Sequence, residues 1–477
     1  VKPALGLVAA LGLLTACAAS PQREAGRTFA WEQPPPPPDD GAVVDPEALH
    51  RIDFDNGLHA ILLEDHRLPR VVLGLTLRRG EGIVPRDEAG LAGFTADLME
   101  RGAGGRDALE LAEAVEEIGA SLSAYADWDE MGVRVSGLSR DLDRLLSVLA
   151  DVALRPRFDP DEAALLRRQK LAALERAVDD PATLASWWTS RALYPEHRFG
   201  EPGSGTPETV ARLDAAAARD FHSRVFVPGN AIFSASGDIE AGDLLARAGE
   251  LFGAWHGADP PPPGPPPPPR TPEARRIVIV DRPDLEQARI SLGQEGIART
   301  DPDRLAALLL NSVLGGSGFS SRLMQRVRSD AGLTYGVWSG FALRRQPGPF
   351  VVGTFTRVPE TRRVIDLLLD ELERIQTQPP DAQELLDAQM LAVGEFALAL
   401  ETSDAVVASL VDLDVYGLPD DSLDTYRARV RALTPADTAR AARRLLDPQR
   451  MALVLVGPAE QLAAQVQDLG PVEVVQP

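Results

Sequence analysis

Lysine is almost missing from this chain. Of 49 basic residues only Lys2 and Lys170 are lysine, and the rest are arginine. Schiff-base and P-loop chemistry, which need a lysine amine, therefore have almost no candidate. Cysteine is scarcer still, with Cys17 standing alone. A disulfide framework and a thiolate zinc site each need several cysteines and are excluded. Positive charge is in deficit: 71 acidic residues give a formal net charge of −22. Proteins that bind nucleic acid do so through basic stripes that displace counterions, so no nucleic-acid partner is expected. The six histidines are His50, His59, His66, His197, His222 and His256. None stand three or four apart, so no helix face carries two, and they read as surface or packing residues.

What is present is the composition of a soluble globular protein, 44% hydrophobic and 25% charged over 477 residues, long enough for at least two domains. The N-terminus stands apart. Lys2 precedes an apolar stretch over residues 4–16, too short to span a bilayer but suited to a secretory signal. It ends in Leu14-Thr15-Ala16-Cys17, which resembles the bacterial lipobox, where cleavage precedes a cysteine that becomes lipidated. An ordinary signal peptide with a chance cysteine is the alternative. The expectation is a lipoprotein signal over residues 1–17 and a lipid anchor on Cys17. With Ala18 rather than aspartate next, an outer-membrane lipoprotein facing the periplasm is expected. Residues 18–45, with the run Pro34 to Pro38, read as an extended proline-rich tether.

A second proline-rich segment, residues 258–272, divides the rest into halves of similar length, 46–257 and 273–470. The stretch Pro228 to Gly237 is echoed 220 residues later by Pro448 to Gly457, each reading as turn, strand and glycine stop. Pro160-Asp161 is echoed at the same offset by Pro380-Asp381, each opening a long helix. The equal offset points to duplication. In the first half, strands are expected at 58–63, 71–77, 121–125 and 133–135, with Asp55-Asn56-Gly57 as a hairpin turn. Helices are expected near 107–118, 140–153, 160–178, 182–193 and 213–224. In the second, strands are expected at 277–280, 288–292, 333–341 and 350–356, with helices near 303–313, 319–329, 359–375 and 381–400. The fold class is α+β: two homologous halves, each a mixed or antiparallel sheet backed by helices.

The first half carries Gly90-Leu91-Ala92-Gly93-Phe94-Thr95-Ala96-Asp97-Leu98-Met99. Its lead-in and Phe94 resemble the insulinase/pitrilysin zinc peptidases, close to their mitochondrial-processing-peptidase-like branch. In that family the helix reads His-x-x-Glu-His, where the histidines bind zinc and the glutamate activates a water. By this resemblance the ligand and base positions fall on Gly93, Ala96 and Asp97, and the third ligand near Ala173. All four are replaced. Glu175 is close to the third position but is rotated to another helix face. Asp97 with Glu100 offers two carboxylates one turn apart, a commonplace of solvated helices. No metal is expected in this chain. The resemblance further implies a clam-shell chamber formed by the two halves.

The second half carries Gly315-Gly316-Ser317-Gly318-Phe319-Ser320-Ser321-Arg322-Leu323, leading a helix through Gln325 and Arg328, then Gly332-Leu333-Thr334-Tyr335. The resemblance maps the family's arginine/tyrosine pair onto Arg322 and Tyr335, which would grip substrate carbonyls and stabilise an oxyanion. It also makes the strand containing Ser123, Ala124 and Tyr125 the edge onto which a peptide adds as an extra strand. Together these imply a non-catalytic subunit. It would dock a zinc-bearing homologous peptidase chain, with zinc in that partner, and would bind peptide or unfolded polypeptide. The alternative is an inactive periplasmic peptide-binding or scaffold lipoprotein.

Overall fold

The structure, a computed structural model, describes residues 41–258 and 275–477. Cys17 with its lipobox, the tether up to residue 40 and the linker from residue 259 lie outside the described residues.

Each half builds a six-stranded mixed sheet. The first contains β1 (Leu49–Asp53), β2 (His59–Glu64), β3 (Arg70–Leu77), β4 (Ser121–Ala126), β5 (Met131–Leu138) and β6 (Ala231–Gly237). Their spatial order is β1-β2-β6-β3-β5-β4. The second contains β7 (Ile277–Asp281), β8 (Gln287–Glu295), β9 (Val337–Leu343), β10 (Pro347–Arg357), β11 (Ala452–Gly457) and β12 (Val472–Val475), ordered β12-β7-β11-β8-β10-β9. Five strands correspond one to one, and β6 and β11 are the echoed segments of the sequence. The sixth differs. β1 runs antiparallel to β2, whereas β12 runs parallel to β7 and carries the second half past residue 470. Asp55-Asn56-Gly57 joins β1 to β2, with Gly57 at φ 88°.

The apolar runs in these strands have a physical reason: both faces of each sheet are buried. Along β2, Ala60 and Leu62 enter the first half's main core, while Ile61 and Leu63 enter a different cluster. That cluster is filled by the helix Ser403–Tyr416 of the second half, through Val406, Val407 and Leu410. The reciprocal contact also exists. The helix Pro181–Leu193 of the first half places Leu184 and Ala185 against Val278, Val280, Val454 and Val456 of the second sheet. Thr189 adds a hydrogen bond from its hydroxyl to Ser291 Oγ at 2.8 Å. Each half thus lends one helix to the other's sheet. Both helices start at side-chain caps, Asp180 to the N–H groups of Ala182 and Thr183, and Thr402 to that of Ala405. The surfaces that face each other are therefore occupied. A cavity of about 440 Å³ remains between the first sheet and the Ser403–Tyr416 helix.

Candidate functional site

The helix Leu91–Met99 bears the altered motif, and it is pinned at its start. Glu81, 3% exposed, accepts the backbone N–H of Gly90 at 2.6 Å and of Ala92 at 3.0 Å. These are donors that a helix start leaves unsatisfied. Arg198, itself buried, donates to the same carboxylate. Gly90 sits at φ 95°, and a Cβ there would come within 2.9 Å of the Ser204 carbonyl, so only glycine fits this turn.

Along the helix, the four positions of the motif offer almost no metal chemistry. Gly93 faces open space, Ala96 is buried and Ala173 is exposed on the helix Pro160–Ala177. Asp97 is the one donor, and its Oδ2 lies 2.6 Å from Nζ of Lys170. Lys170 was not among the expected site residues. The signal available was its place on the same helix three residues before Ala173, hence on the same face. Glu100 does not join Asp97. It accepts the N–H of Ala124 in β4, and burial raises its pKa above the usual carboxylate value. Glu175 is exposed. A zinc ion does not fit these residues: three of the four positions carry no donor, and the fourth, Asp97, is paired with an ammonium group. Among the described residues no three His, Cys, Asp or Glu side chains stand together as a metal site.

β4 is an outer strand, bonded to β5 alone, with Ser123 opposite Arg134, Ala124 opposite Val133 and Tyr125 opposite Gly132. Its free edge lies beside the motif helix, and Glu100 already holds one of its donors. Tyr125 points into the cavity between the halves, where its hydroxyl lies 3.0 Å from Thr76 Oγ1 and burial raises its pKa.

Arg322 and Tyr335 stand in different surroundings. Arg322 donates from Nε to Glu384 Oε1 at 2.7 Å and from Nη2 to Oε2 at 2.6 Å, and from Nη1 to the Gln378 carbonyl at 2.8 Å. Its planar fork is saturated by the capping box that opens the helix Ala382–Ala399, in which Glu384 also accepts the N–H of Asp381. Arg322 is a structural clamp. Tyr335, by contrast, is 83% exposed. It stands before β9 rather than in a strand, because the Thr334 hydroxyl bonds both the N–H and the carbonyl of Gly336 and diverts the backbone from the ladder. An open cavity of about 610 Å³ is lined by Tyr335 together with Arg328, seven residues earlier. The Arg328 guanidinium lies over the Phe319 ring, 4.5 Å from its centroid, and has no acidic partner among the described residues. It belongs to Met324–Asp330, a helical turn wound wider than an α-helix, as helices often are at functional sites. The arginine available beside Tyr335 is therefore Arg328.

With this geometry in place, comparison with known proteins is informative. A model of the family "Insulinase (Peptidase family M16)" matches residues 60–195, and one described as "Peptidase M16 inactive domain" matches residues 212–391. An uncharacterized zinc protease of Streptomyces coelicolor is 28% identical over 390 residues, 80% of this chain and 84% of that protein. One from Bacillus subtilis is 23% identical over 357 residues, 75% and 86% of the two chains. Among solved structures, a peptidase M16 inactive domain from Pseudomonas fluorescens is similar with a TM-score of 0.79 and 27% identity, over 86% of this chain and 98% of that one. A protease from Helicobacter pylori shares the fold, with a TM-score of 0.77 at 18% identity over 86% and 99%.

Proposed function

The chain belongs to the insulinase family, peptidase family M16, and from that premise we propose that it is a non-catalytic subunit of a zinc metallopeptidase of this type. One observation carries the proposal. The zinc positions are replaced, with Asp97 paired to Lys170, while Tyr335 stands exposed and the half-buried Arg328 has no acidic partner among the described residues. In this reading a zinc-bearing homologous chain docks on the protein, and the chamber closes between the two chains. The helices exchanged between the halves favour this, since they fill the surfaces across which one chain would otherwise close on itself. The Tyr335 hydroxyl then donates to the scissile carbonyl as it gains negative charge, and Arg328 holds backbone carbonyls of a peptide or unfolded polypeptide. The lipobox supports a place for the complex on the outer membrane, facing the periplasm, held by the lipid on Cys17.

The test is a gentle detergent pull-down of the tagged protein from native envelopes. A near-stoichiometric homologue containing His-x-x-Glu-His is expected, and Tyr335→Phe should then lower the turnover of the complex at least tenfold. Unchanged turnover removes Tyr335 from the chemistry. Recovery of the chain without such a homologue favours the second reading, a peptide-binding or scaffold lipoprotein, for which the outer position of β4 provides an edge.

A further inference from the structure

The duplication places a second pair of helices where the first half has its motif pair. Arg304–Asn311 follows β8 as Leu91–Met99 follows β3, and Ala382–Ala399 corresponds to Pro160–Ala177. Between the second pair, closed further by Ser403–Tyr416 and the helix Ser422–Arg431, lies a cavity of about 470 Å³. That volume falls within the roughly 300–1,000 Å³ of small-molecule sites. Its apolar lining includes Leu305, Leu308 and Leu391 on the two helices and the stacked rings of Phe396 and Tyr426, 4.4 Å apart.

Four charged side chains line it, Arg299, Arg304, Glu395 and Asp412, two of each sign, and they are not all paired. Asp412 is engaged by Arg299, whose guanidinium also lies 4.8 Å from the Tyr416 ring centroid. Glu395 is exposed. Arg304 is more than half buried and makes no side-chain hydrogen bond or ion pair among the described residues. Burial, then Arg299 and Arg429, lower its pKa, with Asp412 and Tyr426 acting in the other direction, and the guanidinium remains cationic at any physiological pH. A guanidinium in an apolar recess, with no acceptor for its N–H groups among the described residues, is suited to receive an anion.

We propose that this cavity binds an aliphatic monocarboxylate, its head group on Arg304 and its tail along Leu305, Leu308 and Leu391. Two sources share that chemistry: a free fatty acid, and the C-terminal carboxylate of a peptide ending in an aliphatic residue. The inference is independent of the Tyr335 site. Calorimetry on the purified full chain tests it with dodecanoate, with dodecanol as the neutral control, and with a leucine-terminated hexapeptide as free acid and as amide. Saturable one-to-one binding of dodecanoate or of the free-acid peptide is expected, and which of them binds identifies the source. Arg304→Gln should weaken it at least tenfold and Arg304→Lys much less, with unchanged melting temperatures showing that both variants fold. Dodecanol or the amide should bind at least tenfold more weakly than its acid. No saturable binding of either acid, or binding that Arg304→Gln leaves untouched, overturns the proposal.

Discussion

Two arginines six residues apart have opposite fates, and their surroundings decide which. Arg322 meets the Glu384 carboxylate at one helix start and the Gln378 carbonyl at the end of the preceding helix, Thr361–Thr377; Arg328 meets only an aromatic ring. Arg322→Ala should therefore cost about 2–3 kcal/mol in urea unfolding, because it strands Glu384 at a half-buried cap. Arg328→Ala should change stability by less than about 0.5 kcal/mol and act on the turnover of the complex instead. The Arg322 hydrogen bond holds the Glu384 carboxyl below its ordinary pKa. A depressed acid contributes its stability above the unfolded pKa and loses it as pH falls through the folded one, so the penalty of Arg322→Ala should shrink in acid. His222 behaves with the same pH sense for another reason. Burial lowers it to about 4, with Nε2 2.8 Å from the Ala153 carbonyl. It is neutral in the fold, and the unfolded chain binds the extra proton between pH 6.5 and 4. Stability should fall by roughly 3 kcal/mol across that window, and His222→Gln should flatten the decline measured by denaturant titration.

At the scale of elements, the motif helix shows how a fold outlasts its metal. Its start is held by Glu81 and Arg198, not by anything at Gly93 or Ala96. Glu81→Ala should cost about 3–5 kcal/mol, since it leaves Arg198 buried without a counter-charge. Much of this level was legible in the sequence. Alternation and turn residues place β2 and β3 to within a residue of their observed ends, and Pro160-Asp161 and Pro380-Asp381 mark two helix starts, which the structure shows capped by Asp159 and Asp381. The misplacements have local causes. The strand expected from residue 333 begins at Val337 because of the Thr334 hydroxyl. The engagement of Arg322 was not foreseen because its partner, Glu384, lies 62 residues away on another helix. Lys170 pairs with Asp97 across a still longer separation. Spacing along a chain reports faces and periods; it does not report which long side chains meet.

At the scale of the molecule, the exchange of helices was the part least visible beforehand. Its apolar residues look like those of any core helix, and only the three-dimensional arrangement says which sheet they cover. Because each sheet depends on the other half, unfolding should be a single transition in calorimetry, and residues 46–257 expressed alone should fail to fold cooperatively. The boundary also carries a pH response. Glu130, beside Asp127 and Asp129 and facing Asp412 and Arg299 of the second half, has its carboxyl pushed up to about 7, mainly by burial. A raised acid favours the fold while protonated and withdraws that support as pH rises from about 4.5 to 7. Glu130→Gln should therefore stabilise the protein at pH 8, by on the order of 3 kcal/mol, with little effect at pH 4.

The loaned helices also dictate an order of assembly. As synthesis proceeds from the N-terminus, the face of the first sheet formed by Ile61, Leu63 and Ile232 has only Val44, Ala48 and Leu49 of its own half against it until Ser403–Tyr416 has been made. A nascent chain stalled between these points is a sticky intermediate, so the cell must either keep it unfolded or shield it with a chaperone until nearly the whole protein exists.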